Sequence, residues 1–203
     1  CDLPISMAVG VSIAENTLGS SSTPNEVVAQ VVDSTLTLSG SNSNGNALSI
    51  AAQSTVKATA ATAAGAGDFG VQTALPWTGV GANSLNTVFE SVSASVSGGQ
   101  TTVTGVGDVS ITAQNSTTSS AGAGGVAFAG FTDGDGDGGQ KTPSLAAISV
   151  GAALASNEVT LQTSALVEDS AVVTLVANPG GTPGDLTVAA NAEAVVEAVA
   201  VGV

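Results

Sequence analysis

Histidine, tyrosine and arginine are absent from this chain of 203 residues, and lysine occurs only at Lys57 and Lys141. Charged residues make up 9% of the sequence and aromatics 2%, where an ordinary soluble domain is about a quarter charged. Two lysines cannot displace the counterions that phosphate carries, which argues against nucleic acid as a partner and against anionic membrane surfaces. Without histidine, and with Cys1 as the single cysteine, the usual general bases, activated nucleophiles and zinc ligands are missing. The chain is therefore not expected to be an enzyme. Long apolar runs are lacking as well. Ser, Thr, Gly, Asn or Asp interrupts every stretch before about 18 residues, so no membrane insertion is expected. The sequence opens on Cys1-Asp2-Leu3-Pro4 with no secretory signal, as a mature, processed or excised chain would.

What is present is 43% hydrophobic residues, mostly Ala and Val, with a mean hydropathy of +0.41 and a formal charge of −14. That much apolar content argues against disorder. Alternation at period 2 dominates. Val27, Ala29 and Val31 alternate with Val28, Gln30 and Val32, while Leu36 and Leu38 alternate with Thr35 and Thr37. Leu48 and Ile50 flank Ser49, Val109 and Ile111 flank Ser110, and Leu186 and Val188 flank Thr187. Such segments are strands with one apolar and one hydroxyl-bearing face. Turn signals fall at 43–46, at Ser97-Gly98-Gly99, at Gly105-Val106-Gly107-Asp108 and at 178–181. The best helix candidate, 189–203, lacks charge pairs and reads equally well as strand. The fold class is all-β.

Self-comparison reveals an internal repeat. Ser6 to Asn16, Gly79 to Asn86 and Leu145 to Asn157 share a plan. So do Ala47-Leu48-Ser49-Ile50-Ala51-Ala52-Gln53, Asp108-Val109-Ser110-Ile111-Thr112-Ala113-Gln114 and Asp185-Leu186-Thr187-Val188-Ala189-Ala190-Asn191. Asn16, Asn86 and Asn157 occupy matching places. Three copies of roughly 68 residues, near 1–70, 71–141 and 142–203, fill a single domain. This pattern predicts a parallel β-helix, or β-solenoid, whose narrow interior favours Ala, Val, Ile and Leu ladders over aromatics. Short strands suggest coils of roughly 20–25 residues, about nine in all, and a rod on the order of 45 Å long. A β-sandwich or jelly roll would use similar strands and Gly-rich turns and is the alternative.

The segments "AVGVSIAEN", "AAISVGAALASNEV", "VDSTLTLSG", "GGQTTVTG", "GDVSITAQNST" and "GDLTVAANAE" resemble the β-strand repeats of giant bacterial surface proteins. These are the filamentous-haemagglutinin-like and large repetitive adhesins. The resemblance spans nearly the whole chain through degenerate patterns. It implies an extracellular, right-handed parallel β-helix serving as a stalk, fibre or surface layer. The chain is short for that family and shows no recognisable secretion domain or anchor. Residues 198–203 read like the start of another repeat, and no polar capping coil is evident at either end. Uncapped solenoid ends recruit further chains, so a homo-oligomer or filament formed head to tail is expected, with other surface polymers as further partners.

Asp133, Asp135 and Asp137, each followed by glycine, match the opening of a calcium loop, in which hard carboxylate oxygens converge and glycine permits the turn. Ser144 stands where a bidentate Glu would belong. Ca2+ is the one cofactor suggested, and a calcium-dependent adhesion or carbohydrate-binding module is the alternative function. Dispersed acids such as Glu15, Glu90, Glu158, Glu193 and Glu197 read as solubilising charge rather than as a glycosidase pair, since aromatic sugar platforms are missing. Trp77, after Leu75-Pro76, is expected in a loop, plugging a coil end or else anchoring a subunit contact or a ligand. Cys1 is a lipidation or disulfide candidate, or a truncation boundary, and Asn115-Ser116-Thr117 is a lone glycosylation sequon. Thr-rich segments at 35–37 and 101–104 raise ice binding as a minor alternative.

Overall fold

A computed structural model describes residues 5–38, 46–70, 75–131, 147–177 and 182–203. Of the chain so described, 84% is strand and none is helix, so the helix candidate near the C-terminus is the strand β10 (Leu186–Gly202). The other strands are β1 (Ile5–Leu18), β2 (Asn25–Val32), β3 (Thr35–Leu38), β4 (Asn46–Gly70) and β5 (Leu75–Ser97). They continue with β6 (Thr102–Gly105), β7 (Asp108–Phe131), β8 (Ile148–Val167) and β9 (Val172–Leu175).

Every strand pair is parallel, and each joins a segment to its counterpart in an adjacent repeat. In the first long sheet, β5 carries β1 and then β2 along one edge and β8 along the other. The second long sheet has the order β10-β7-β4, and a short sheet has the order β3-β6-β9. Each repeat thus contributes one rung made of a long strand, a short strand and a second long strand. Among the described residues no strand pairs within its own repeat, and no sheet is closed or curled. An antiparallel sandwich or jelly roll is therefore not what these residues form.

The nine short coils expected from the sequence are replaced by three wide rungs. At about 4.8 Å per rung the stack spans roughly 10 Å between its outer strands, while β4, with 25 residues, runs on the order of 80 Å. The Ala-, Gly- and Ser-rich stretches of β4 and β7 stay extended over their whole length.

Alternation is clearest in the middle rung. Val80, Ala82, Ser84, Asn86, Val88, Glu90 and Val92 of β5 point inward, as do Val109, Ile111, Ala113, Asn115, Thr117 and Ser119 of β7. The chain reverses between them, so Asn86 faces Ser120 while Glu90 faces Thr117. Where the three sheets meet lies the apolar core. Val92, Ala94, Val96, Val103, Val109, Ile111 and Ala113 are buried there, with counterparts from the outer rungs packed against them. Identical side chains stack, as in the row Ala29, Ala94 and Ala165 and the row Ala52, Ala113 and Ala190. The corner after the first long strand needs left-handed backbone at Asp33, Gly98, Asp169 and Ser170, so small or short polar residues occupy it. Rung one also carries an insertion. Leu18 pairs Val88 and Asn25 pairs Glu90, so residues 19–24 loop out opposite Phe89 alone.

Away from the core, the two long sheets approach until their backbones touch. A Cβ on Gly10 would lie 2.7 Å from the Gly65 carbonyl oxygen, and one on Gly125 would lie 2.9 Å from that of Ala152. Gly122, on the outward side of the same strand as Gly125, has nothing within 4 Å of such a Cβ. We expect Gly125→Ala to cost about 1–3 kcal/mol through overpacking, and Gly122→Ala to change stability by less than about 0.5 kcal/mol. Urea midpoints of the two variants measured side by side check this.

Candidate functional site

The chemistry of this chain is concentrated on the two outer rungs. A strand flanked on both sides has its N–H and C=O groups satisfied, and β5, β6 and β7 are in that position. On one end β1 to β4, and on the other β8 to β10, each have one edge without a partner strand among the described residues. Such an edge is a row of directed donors and acceptors that templates a further parallel strand.

The interior carries a directional feature across these rungs. Asn16 Nδ2 donates to Asn86 Oδ1 at 2.9 Å, and Asn86 Nδ2 donates to Asn157 Oδ1 at 2.9 Å. The second N–H of each amide crosses to the facing sheet. Asn16 and Asn86 reach the carbonyls of Thr59 and Ser120 at 2.7 Å, and Asn157 reaches that of Glu197. Carbonyls only accept, so these three oxygens fix the orientation of all three amides. Donation therefore runs one way along the stack. Its first member, Asn16, keeps an Oδ1 without a donor among the described residues. Its last, Asn157, keeps one N–H without an acceptor there. Ser119 Oγ adds a second donor to Asn157 Oδ1 at 2.8 Å.

Beside Asn16, the outer face of rung one is an open cleft of about 450 Å³ lined by Leu18, Val56, Lys57 and Val88. It has the shape of an interior layer left uncovered. Lys57, the described cation, is exposed on the outward side of β4. On the outward side of β10, Glu193 and Glu197 are exposed as well.

The outward side of the first long sheet is apolar at one end. Met7, Val9, Val11 and Ile13 of rung one are exposed there beside Trp77 of rung two and Val150 and Leu154 of rung three. Trp77 is 47% exposed within β5 and pairs Met7 and Ile148, so it is a surface residue of a strand and does not plug a coil end. The stretch read as the start of another repeat belongs to β10, where Ala198 to Gly202 pair Ala121 to Gly125. The sequon fails on burial. Asn115 is 2% exposed and points into the interior, where no glycan fits.

Glu90, 1% exposed, accepts from Ser54 Oγ and from Thr117 Oγ1 at 3.2 Å. No basic side chain among the described residues joins it, and no second acid stands with it as a glycosidase partner would. Asp133, Asp135 and Asp137 lie outside the described residues, as does Cys1. Among the described residues no group of three or more His, Cys, Asp or Glu side chains could hold a metal ion.

Compared with protein-family models, curated proteins and solved structures, the chain gives no match. Sequence reasoning aligned Asn16, Asn86 and Asn157 but missed that they bond to one another. The signal was available, since asparagine recurring at one register position of stacked strands can pair along the stack. Lys57 was missed because one lysine in a Thr/Ala segment carries no motif.

Replacing Asn86 with Ala leaves one Asn16 N–H without its acceptor and takes one donor each from Asn157 Oδ1 and the Ser120 carbonyl. We expect a loss of about 2–4 kcal/mol in chemical denaturation. Asn16→Ala, at the open edge, should cost about 1 kcal/mol in the isolated chain.

Proposed function

We propose that this chain is a structural element of an extracellular fibre, sheath or adhesin stalk, built as a segment of parallel β-solenoid. The resemblance of its repeats to those of large bacterial surface proteins supports that setting. The reading rests on one observation. Two stacked rungs bury and pair the third between them, yet both outer rungs repeat the same strands, ladders and register with one side left open among the described residues. A stack built this way has no internal reason to stop.

Function then is mechanical. Tension along the stacking axis is borne by backbone hydrogen bonds repeated at every residue of three sheets, and interior ladders hold the register. Small side chains serve this end because they let the sheets close on one another. A formal charge of −14 limits uncontrolled lateral association. The contact joining one copy to the next is heterologous, with the rung-three end meeting the rung-one end, and such contacts propagate into filaments. Catalysis has no place in this reading.

Purified chain should form filaments visible by electron microscopy, with an axial diffraction spacing of about 4.8 Å. Monodisperse monomers at all concentrations, by light scattering, would remove the proposal. Calcium is a separate element of the reading, at Asp133, Asp135 and Asp137. Calorimetry should show calcium binding by the chain and its loss in Asp135→Ala, and heat-free titration of the parent chain would dismiss the site.

A further inference from the structure

Resting on the head-to-tail reading above, we infer the register and polarity of the contact between copies: rung three of one copy pairs with rung one of the next, so that Asn157 meets Asn16 and Lys57 enters between Glu193 and Glu197. The partner is a second copy of this chain.

Three independent observations select this register. The first is the asparagine ladder. Among the described residues, Asn157 offers an N–H without an acceptor and Asn16 an Oδ1 without a donor, each on the side away from Asn86. Placing Asn157 against Asn16 of the next copy continues the one-way chain of amides without reversal. The opposite polarity, rung one against rung one, would set two acceptors facing each other.

The second is shape. Val88 has Leu18 on one side and Val159 on the other, while Thr117 has Val56 and Ala194. In the inferred register Val159 and Ala194 cover the cleft above Leu18 and Val56 of the next copy. They occupy it with side chains of the size found in the interior of rung two.

The third is charge. Lys57 and Val195 both pair with Thr118, so in the stack Lys57 of the next copy stands opposite Val195. Glu193 and Glu197 lie two positions to either side of Val195 on the same face. Diagonal neighbours are about 7 Å apart at the backbone, within reach of a lysine and two glutamates. A slip by one turns Lys57 toward the interior, while a slip by two keeps it opposite one glutamate and is opposed instead by the asparagine row, which it breaks. Unfavourable pairs accompany them, since at the corner Glu168 and Asp169 come beside Asp33 of the next copy. Glu158, opposite Thr17, falls diagonal to Glu15 of the next copy. Exposed pairs of either sign are screened by salt, so charge here selects register more than it supplies affinity.

The experiment separates register from assembly. In a Cys1→Ser background, a Thr187→Cys chain is mixed with a Ser49→Cys chain, and separately with a Gln53→Cys chain. Thr187 and Ser49 both pair with Ser110, so they stand opposite across the inferred contact, whereas Gln53 lies about 13 Å further along. Disulfide-linked dimers are expected with Ser49→Cys and not with Gln53→Cys. In parallel, Lys57→Glu should raise the critical concentration for assembly about tenfold, and combining it with Glu193→Lys and Glu197→Lys should restore it. Filaments that cross-link through Gln53→Cys, or whose critical concentration ignores Lys57→Glu, would overturn the register while leaving head-to-tail stacking intact. Absence of assembly in the parent chain would overturn both.

Discussion

Parallel backbone pairing between equivalent residues of successive repeats is the constraint on which this structure depends. Once Asn16 lies against Asn86 and Asn86 against Asn157, every neighbouring position must repeat a compatible side chain. An unlike group there would find no complement above or below. The hydrogen bonds are local to each pair of rungs, so no large core is needed to hold the sheets together. This is why a chain with 2% aromatics can form these long paired strands.

A second consequence concerns thickness. Two sheets packed face to face ordinarily stand about 10 Å apart, with side chains interdigitating between them. Here the interior toward the free ends of β5 and β7 is mostly Ala, Gly, Ser and Thr, with Pro76 and Val80 among them, and the backbones approach closely enough that Gly10 and Gly125 admit no Cβ. Polar groups inside have little space in which to find partners, and Thr78 Oγ1, Ser84 Oγ and Asn115 Nδ2 find none among the described residues. The asparagine row meets that demand by pairing along the axis and across it at once. Glu90 meets it with two hydroxyls from the facing sheet.

Much of this was legible beforehand, for identifiable reasons. Alternation at period 2 reads directly as strand, and matching triplets such as Ser49, Ser110 and Thr187 gave the register without any structure. The turns at Ser97-Gly98-Gly99 and Gly105-Val106-Gly107 lie where glycine marked them. Coil size was misjudged because alanine and glycine permit both turns and extended strands. The choice between them was made by the opposing sheet, which no local pattern displays. Trp77 was misplaced for a similar reason. Leu75-Pro76 ahead of it suggests a loop, yet these residues open β5, where Pro76 pairs Ser6.

The sequence by itself determined that the chain is all-β, repeated, poor in the side chains of catalysis, and built so that equivalent residues coincide. Repetition imposes that much, since a repeated pattern of half-apolar strands has its own copies as the best available partners. Tertiary structure alone decided that one repeat makes one rung, which faces oppose, and in which direction the amides of Asn16, Asn86 and Asn157 point. Those outcomes depend on carbonyls of Thr59, Ser120 and Glu197, which are distant in sequence and come within reach only when the long strands fold back over one another.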